Sequence, residues 1–474
     1  MFRQKGRNKM AEKYGLVIIG GGPAGYEAAL DAAKKGIKTA LVEKRELGGT
    51  CLNRGCIPTK TLLHSAELFA EMKKSEVFGI TAEAPAYHME KIQSRKNEVL
   101  DQLRSGIEML MKKNKIAVYN GTGTIVNPNE VQIKGQEEIC TIEGEHILIA
   151  TGSVPSVPPI PGAELPEVHT SDSLLDNTKH YRSLTIIGGG VIGMEFASVY
   201  NALGVQVTVI EFLDRILANM DKEISQNLKM IMKKRGVEIH TSAGVDRILE
   251  RDGSLVCCYQ EKEKSMEAVS DAVLIATGRR ANTEGLFAPG MEVSMEKGRI
   301  LVNELGQTSV PNIFAAGDVT PSVQLAHGAT ANARNITAYL AWEKDGDKEK
   351  PFVKPYRADL IPGCVYTNPE IGTIGLTQEE AKALGEPVIV QKYPMSANGK
   401  TVLSGQDRGF IKVIALEKSR RIVGAQMMCA RATDMISQFE LAIVNELTLE
   451  QMAAVVYPHP TYSEAIGEAV SVSR

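Results

Sequence analysis

The residues best suited to chemistry are two cysteines five positions apart, in Gly48-Gly-Thr-Cys51-Leu-Asn-Arg-Gly-Cys56-Ile-Pro-Thr-Lys60. In a regular α-helix, rising about 1.5 Å per residue, their Cα atoms would stand roughly 8 to 9 Å apart. A disulfide needs about 4.4 to 6.8 Å, so the pair can close only where the helix is irregular. Gly55 and Pro58 mark where such a break is expected. Spacing alone leaves two readings open, a redox pair or two buried thiols, the usual state of intracellular cysteine.

The elements that position this stretch begin just before it. Tyr14 to Ile19 is an apolar run that leads into Gly20-Gly-Gly22-Pro-Ala-Gly25, followed by an alanine-rich helical segment to about Lys35. A second strand, Lys38 to Val42, ends at Glu43, 23 positions after Gly20. Strand, Gly-x-Gly-x-x-Gly, helix, strand and acid together form the dinucleotide fingerprint. Gly20 permits the tight turn, Gly22 lets the backbone approach a pyrophosphate at a helix N-terminus, and Glu43 can accept from a ribose. The pattern recurs 168 residues later as Arg182 to Ile187, Gly188-Gly-Gly190-Val-Ile-Gly193, a helix over Met194 to Leu203, and Val205 to Ile210 ending at Glu211. Each half closes on the same phrase, Ile149-Ala-Thr151-Gly152 and Ile275-Ala-Thr-Gly278. Two such units imply two dinucleotides.

Between the copies, Met89 to Met111 carries apolar residues at 89, 92, 99, 103, 107 and 110. That helical period predicts a stripe packed on the core. Val154 to Pro161 holds four prolines in eight residues and reads as a hinge. Glu261 to Lys264 reads as a charged turn.

Composition narrows the class. A chain of 474 residues is too long for one core and should form about two to four domains. With 43% apolar and 23% charged residues it has the balance of a globular protein. A net charge of −3 gives no reason to expect nucleic acid or an anionic membrane as partner. No apolar run approaches the roughly 20 residues of a membrane span. Met1 to Lys9 is basic without a following apolar segment, so it reads as a disordered tail rather than a secretory signal, with Met10 as an alternative start. Seven cysteines in so long a chain suggest a cytoplasmic enzyme with one special pair, not a disulfide framework.

Two fingerprints with a Cys-x4-Cys pair shortly after the first make the sequence resemble the pyridine nucleotide–disulfide oxidoreductases, from about Glu12 to Val472. Within them it is most similar to the dehydrogenases that serve 2-oxoacid dehydrogenase and glycine-cleavage systems. Later landmarks agree in order: Gly278-Arg-Arg-Ala-Asn-Thr283, Pro311-Asn-Ile-Phe-Ala-Ala-Gly317-Asp318, Leu325-Ala326-His327, and Tyr457-Pro-His459-Pro-Thr-Tyr-Ser-Glu464. The resemblance implies an α/β fold of two Rossmann-like dinucleotide-binding domains, for FAD and NAD, plus a C-terminal α+β dimerisation domain. The expected bounds are 1–152 and 282–350 for FAD, 153–281 for NAD and 351–474 for dimerisation. Beyond Phe352, strands are expected at Phe410 to Leu416 and Ile422 to Cys429, with helices at Thr377 to Leu384 and Ala432 to Asn445.

The same resemblance assigns roles. Cys56 would be the thiol nearest the flavin and Cys51 the one that exchanges with substrate. His459 would take the proton as a substrate dithiol attacks, with Glu464 fixing its tautomer. Lys60 would place an ammonium beside the flavin. Glu195, at the start of the second fingerprint's helix, would be its counter-ion, and it could also complement the dipole from the first turn. FAD would be held by Gly20, Gly22, Gly25, Glu43, Gly49, Thr50, Lys60, Thr151, Gly152, Ala326 and Asp318, although Gly317-Asp318 alone could be an ordinary turn. NAD would be held by Gly188, Gly190, Gly193, Glu211 and Gly278, and no metal is expected. Glu211 favours NAD over NADP, since the following residues hold a single arginine, Arg215, beside Asp214. Tyr457 and Tyr462 depart from the family pattern and are expected to bear on substrate fit. The expected partners are a second copy in a homodimer and a lipoylated carrier protein, separate because no lipoyl domain precedes Tyr14. Two alternatives stay open: a glutathione-type reductase, which Glu211 disfavours, and a flavin-binding assembly subunit without turnover.

Overall fold

The computed structural model describes residues 12–346, 351–357, 360–406 and 408–471. The basic stretch Met1–Lys9 and Met10 lie outside them. The chain divides into two compact units.

One unit comprises Met1–Ile57, Asn97–Val154 and Arg279–Ala358. Its central strand is Glu12–Ile19, whose Leu16, Val17 and Ile18 are wholly buried, as a parallel strand covered on both faces requires. It pairs in parallel with Thr39–Glu43 on one side and Ile139–Ile149 on the other. Ala117–Asn120 continues the sheet beyond Thr39–Glu43, and Ile313–Ala315 pairs in parallel with Ile139–Ile149. The hairpin of Thr122–Asn127 and Glu130–Lys134 joins antiparallel. Helices Pro23–Lys34 and Ala326–Asp345 share a core with this sheet. Arg334 donates to Glu27 at 2.6 Å between them, and Thr337 donates to Asp31.

The other unit comprises Pro58–Lys96, Pro155–Gly278 and Asp359–Arg474. It repeats the parallel arrangement in the order Glu238–Thr241, Gln206–Glu211, Ser183–Ile187, Ala272–Ile275, Val168–Thr170. Ala243–Arg251, Ser254–Glu261 and Lys264–Ser270 form an antiparallel sheet, with the expected turn at Lys262 and Glu263, both at positive φ. The C-terminal part is a five-stranded antiparallel sheet that includes Phe410–Leu416 and Ile422–Cys429, as expected. The helix expected near Thr377 is Gln378–Ala383, closed by a capping box from Thr377 and Glu380. The one expected over Ala432 to Asn445 is two helices, Ala432–Met435 and Ser437–Val444. Lys412 of this sheet is buried and donates to Asp221 at 2.7 Å. Asp221 also caps the helix Lys222–Lys234 by accepting from the Glu223 amide at 2.9 Å. Removing one partner of such a buried pair costs about 3 to 5 kcal/mol, because the other charge stays buried.

The helix over Met89–Lys113 forms where its period places it, and the expected stripe holds in part: Met89 is buried and Ile92 and Ile107 pack against buried clusters. Leu103 and Leu110 are exposed, whereas Gln93 and Lys96 are buried. Gln93 donates to the carbonyls of Leu175 and Asn177, at 3.0 and 2.8 Å. Lys96 donates to Leu175 O at 3.0 Å and to the Asp176 carboxylate. A polar side chain is buried readily when carbonyls are waiting for it, and periodicity does not register that. No helix among the described residues is long and apolar enough to cross a membrane.

Candidate active site

The two glycine-rich turns are built alike. Gly20 has φ +107°, and a Cβ there would lie 2.3 Å from Ala150 O; Gly188 has φ +111°, and its Cβ would lie 2.4 Å from Ala276 O. A Cβ on Gly25 would meet Gly20 O at 1.8 Å, and one on Gly193 would meet Gly188 O at 2.0 Å. The first and third glycines are thus imposed by the chain's own backbone. The second is not. Gly22 has only Gly49 Cα, at 3.8 Å, and Gly190 has nothing within 4 Å. Each leaves open space at the N-terminus of a 12-residue helix, Pro23–Lys34 or Val191–Ala202, where amide groups and the dipole favour an anion. Both turns therefore fit a dinucleotide.

The acids at the strand ends do more than the sequence predicts. Glu43 accepts from the Gly21 amide at 2.6 Å and the Arg45 amide at 2.7 Å. Glu211 accepts from Gly189 at 2.5 Å and Leu213 at 2.7 Å. Each carboxylate holds its glycine-rich turn and retains lone pairs for a ribose. Arg215 turns back onto its own loop and donates to Ala218 O at 3.0 Å.

In the first unit, Cys51 lies half-buried on the helix Gly49–Arg54 and Cys56 is exposed. The expected irregularity is at Gly55, whose φ −151° and ψ −110° end that helix before Cys56 opens the next, Cys56–Lys73. Pro58 is no breaker. It sits in that helix's first turn, where a missing N–H costs nothing. Asn53, which the sequence reading passed over, holds this segment. It donates to Leu47 O at 3.0 Å and Gly49 O at 2.9 Å, and accepts from Arg104 at 3.1 Å. Gly49, at φ +58°, runs against Gly22, so a Cβ there would lie 2.5 Å from Gly22 Cα. Arg279 donates to Thr50 Oγ1 at 3.5 Å and to Ser153 at 2.8 Å, and Ser153 Oγ donates to Asp318 at 2.6 Å. Among the described residues, Thr151 Oγ1 and Gln324 Nε2 are buried with no hydrogen-bond partner. Gln324 lies just before Ala326, which starts the helix Ala326–Asp345, and Gly152 has φ +68°. Two orphaned polar atoms beside the residues expected to hold FAD are what a missing polar ligand leaves.

In the second unit, Lys60 binds the Glu195 carboxylate at 2.7 and 2.8 Å. Glu195 is buried and lies beyond the first turn of Val191–Ala202, so its role is the ion pair, not complementing the dipole. Tyr366, also missed, donates its amide to Glu195 at 3.1 Å, and the Lys60 ammonium stands 4.5 Å from its ring centroid. No spacing signal could have found a residue so distant in sequence. Gly278 has φ +113°.

His459 Nδ1 lies 2.7 Å from Glu464 Oε1, and Glu464 Oε2 accepts from the Thr461 amide at 2.8 Å. The Thr461 amide and His459 hold the Glu464 carboxyl below its usual range. The His459 side chain is 79% exposed, so Nε2 faces outward. Tyr462 shares a 2.9 Å hydrogen bond with Ser404. The Tyr457 ring fills the space a Cβ on Gly467 would need, at 2.8 Å, and its buried hydroxyl has no partner among the described residues.

Residues 14–333 match the family described as pyridine nucleotide-disulphide oxidoreductase, and residues 361–470 match its dimerisation domain. The chain belongs to this family. It is 39% identical to a dihydrolipoyl dehydrogenase of Bacillus subtilis, covering 97% of this chain and 98% of that one. It is also 39% identical to a dihydrolipoyl dehydrogenase of Chlamydia pneumoniae, over 97% and 96%. Among solved structures, the HOCl-induced flavoprotein disulfide reductase RclA from Escherichia coli is similar with a TM-score of 0.84, at 30% identity over 97% of this chain and all of that one.

Proposed function

We propose that this chain oxidises protein-bound dihydrolipoyl groups to the disulfide with NAD⁺ as acceptor, using FAD and the Cys51–Cys56 pair. FAD, when bound, passes two electrons between the cysteine pair and the nicotinamide. In balance, a dithiol and NAD⁺ become a disulfide, NADH and a proton. The observation that carries the reading is the His459–Glu464 pair. With Nδ1 committed to a carboxylate, the outward Nε2 is the nitrogen that takes the proton from a substrate thiol. The resulting thiolate would attack Cys51 of the oxidised Cys51–Cys56 disulfide, forming a mixed disulfide with Cys51 and breaking the bond to Cys56, which leaves as the thiolate. Cys56 opens an 18-residue helix whose amides favour a thiolate. Lys60, held by Glu195, supplies the positive charge that favours electrons on the cofactor.

Gly20, Gly22, Gly25, Glu43, Gly49, Thr50, Thr151, Gly152, Ala326 and Asp318 hold FAD, while Gly188, Gly190, Gly193, Glu211 and Gly278 hold NAD. The domain bounds 1–152 with 282–350, 153–281 and 351–474 follow this division. The chain works as a homodimer on a lipoylated carrier, in the cytoplasm. The deciding experiment compares turnover of dihydrolipoamide with NAD⁺ against oxidised glutathione with NADPH. Turnover in the first is expected; activity only in the second, or in neither, overturns the reading.

Selectivity for NAD rests on Glu211. In Glu211→Ala, NADH binding should weaken by about 1.5 to 3 kcal/mol, the worth of a hydrogen bond to a charged group. The gap to NADPH should narrow, since the carboxylate no longer meets a 2′-phosphate. The ratio of the two dissociation constants is the decisive measure. Loss of the Gly189 and Leu213 bonds would weaken both nucleotides alike, and an unchanged ratio would place selectivity elsewhere.

A further inference from the structure

We infer that Tyr366 is a positioning residue for the Lys60–Glu195 pair, holding the ammonium with its ring and the carboxylate with its backbone amide; this rests on the proposed role of Lys60 beside a flavin. One residue touches both members of the pair. Its backbone amide donates to Glu195 Oε1 at 3.1 Å, while its ring stands 4.5 Å from Lys60 Nζ. Glu195 is buried and cannot move far. Lys60 is different: its side chain is 29% exposed, on a flexible four-carbon stem. Two hydrogen bonds to a carboxylate do not fix an ammonium's direction, because three donors can rotate among the acceptors. The electron-rich face of an aromatic ring supplies the second attraction, which points the charge. Burial pushes the Tyr366 hydroxyl up to about 12, so the ring stays a neutral phenol throughout the working range. The clamp needs the ring and not the hydroxyl.

The test uses the flavoprotein with Tyr366→Phe and Tyr366→Leu, and Tyr366→Met as a second variant lacking the ring should leucine prevent folding. The bound flavin is equilibrated with a reference redox dye, without substrate, alongside kcat, KM and thermal unfolding. Tyr366→Phe should match wild type. Tyr366→Leu or Tyr366→Met should shift the dye equilibrium toward oxidised flavin by roughly threefold to thirtyfold, the worth of a cation–π contact, and lower kcat with little change in KM. An unshifted dye equilibrium in the ringless variants, or the same shift in Tyr366→Phe, overturns the proposal. Wild-type protein that takes up no flavin would overturn both it and the proposed function. A flavoprotein that shows the dye shift but does not oxidise dihydrolipoamide would overturn the substrate and leave the role of Tyr366 standing.

Discussion

Cys51→Ser should lose dihydrolipoamide turnover by on the order of 10⁴-fold or more, as expected when one member of a catalytic unit that acts together with its partners is removed. The same variant should keep the long-wavelength absorbance of a thiolate beside oxidised flavin, because Cys56 remains. Cys56→Ser should lose both. The asymmetry follows from placement: Cys56 opens an 18-residue helix, whereas Cys51 sits on the six-residue helix before the Gly55 break. Absorbance spectra of the two purified variants, with turnover measured on the same samples, check it. If Cys51→Ser abolished the band while Cys56→Ser retained it, the two roles would be exchanged.

Mixing inactive Cys51→Ser chains with inactive His459→Ala chains should restore activity toward about half the wild-type value per heterodimer. The resemblance to the disulfide oxidoreductases implies that in a homodimer each cysteine pair would meet the histidine of the neighbouring copy across a two-fold axis, and such an isologous interface would make two equivalent sites. One site of each heterodimer would carry both lesions and the other neither. His459→Ala alone should cost roughly 10²- to 10⁴-fold, the worth of a positioned general acid–base. Turnover after subunit exchange, with exchange confirmed by mass spectrometry, is the measurement. No recovery would mean that His459 acts within its own chain.

Much of this protein is legible from its residues because the governing contacts are local. The third glycine of each fingerprint answers to the carbonyl oxygen of the first, in the same turn. Their positions therefore survive as a pattern. His459 and Glu464 lie on one short segment, so the resemblance of that one segment to the family's motif was enough to propose the pair. Gly55 announced the break between the cysteines for the same reason, since no other residue leaves a helix so cheaply.

Tertiary structure decided what spacing could not. Pro58 reads as a breaker, yet the helix starts two residues before it and absorbs it in the first turn. Gln93 and Lys96 read as solvent-facing, but the carbonyls of Leu175 and Asn177 draw them in. Glu43 and Glu211 read as ribose acceptors, and folding first gives each a second task, holding the amides of its own turn. Tyr366 carries no motif at all. It matters because the folded second unit sets its ring beside Lys60 and its amide on Glu195. A pattern in sequence records what a residue asks of its neighbours along the chain. A buried charge is settled by groups that only folding brings near, because the energy of leaving it unpaired exceeds any local preference.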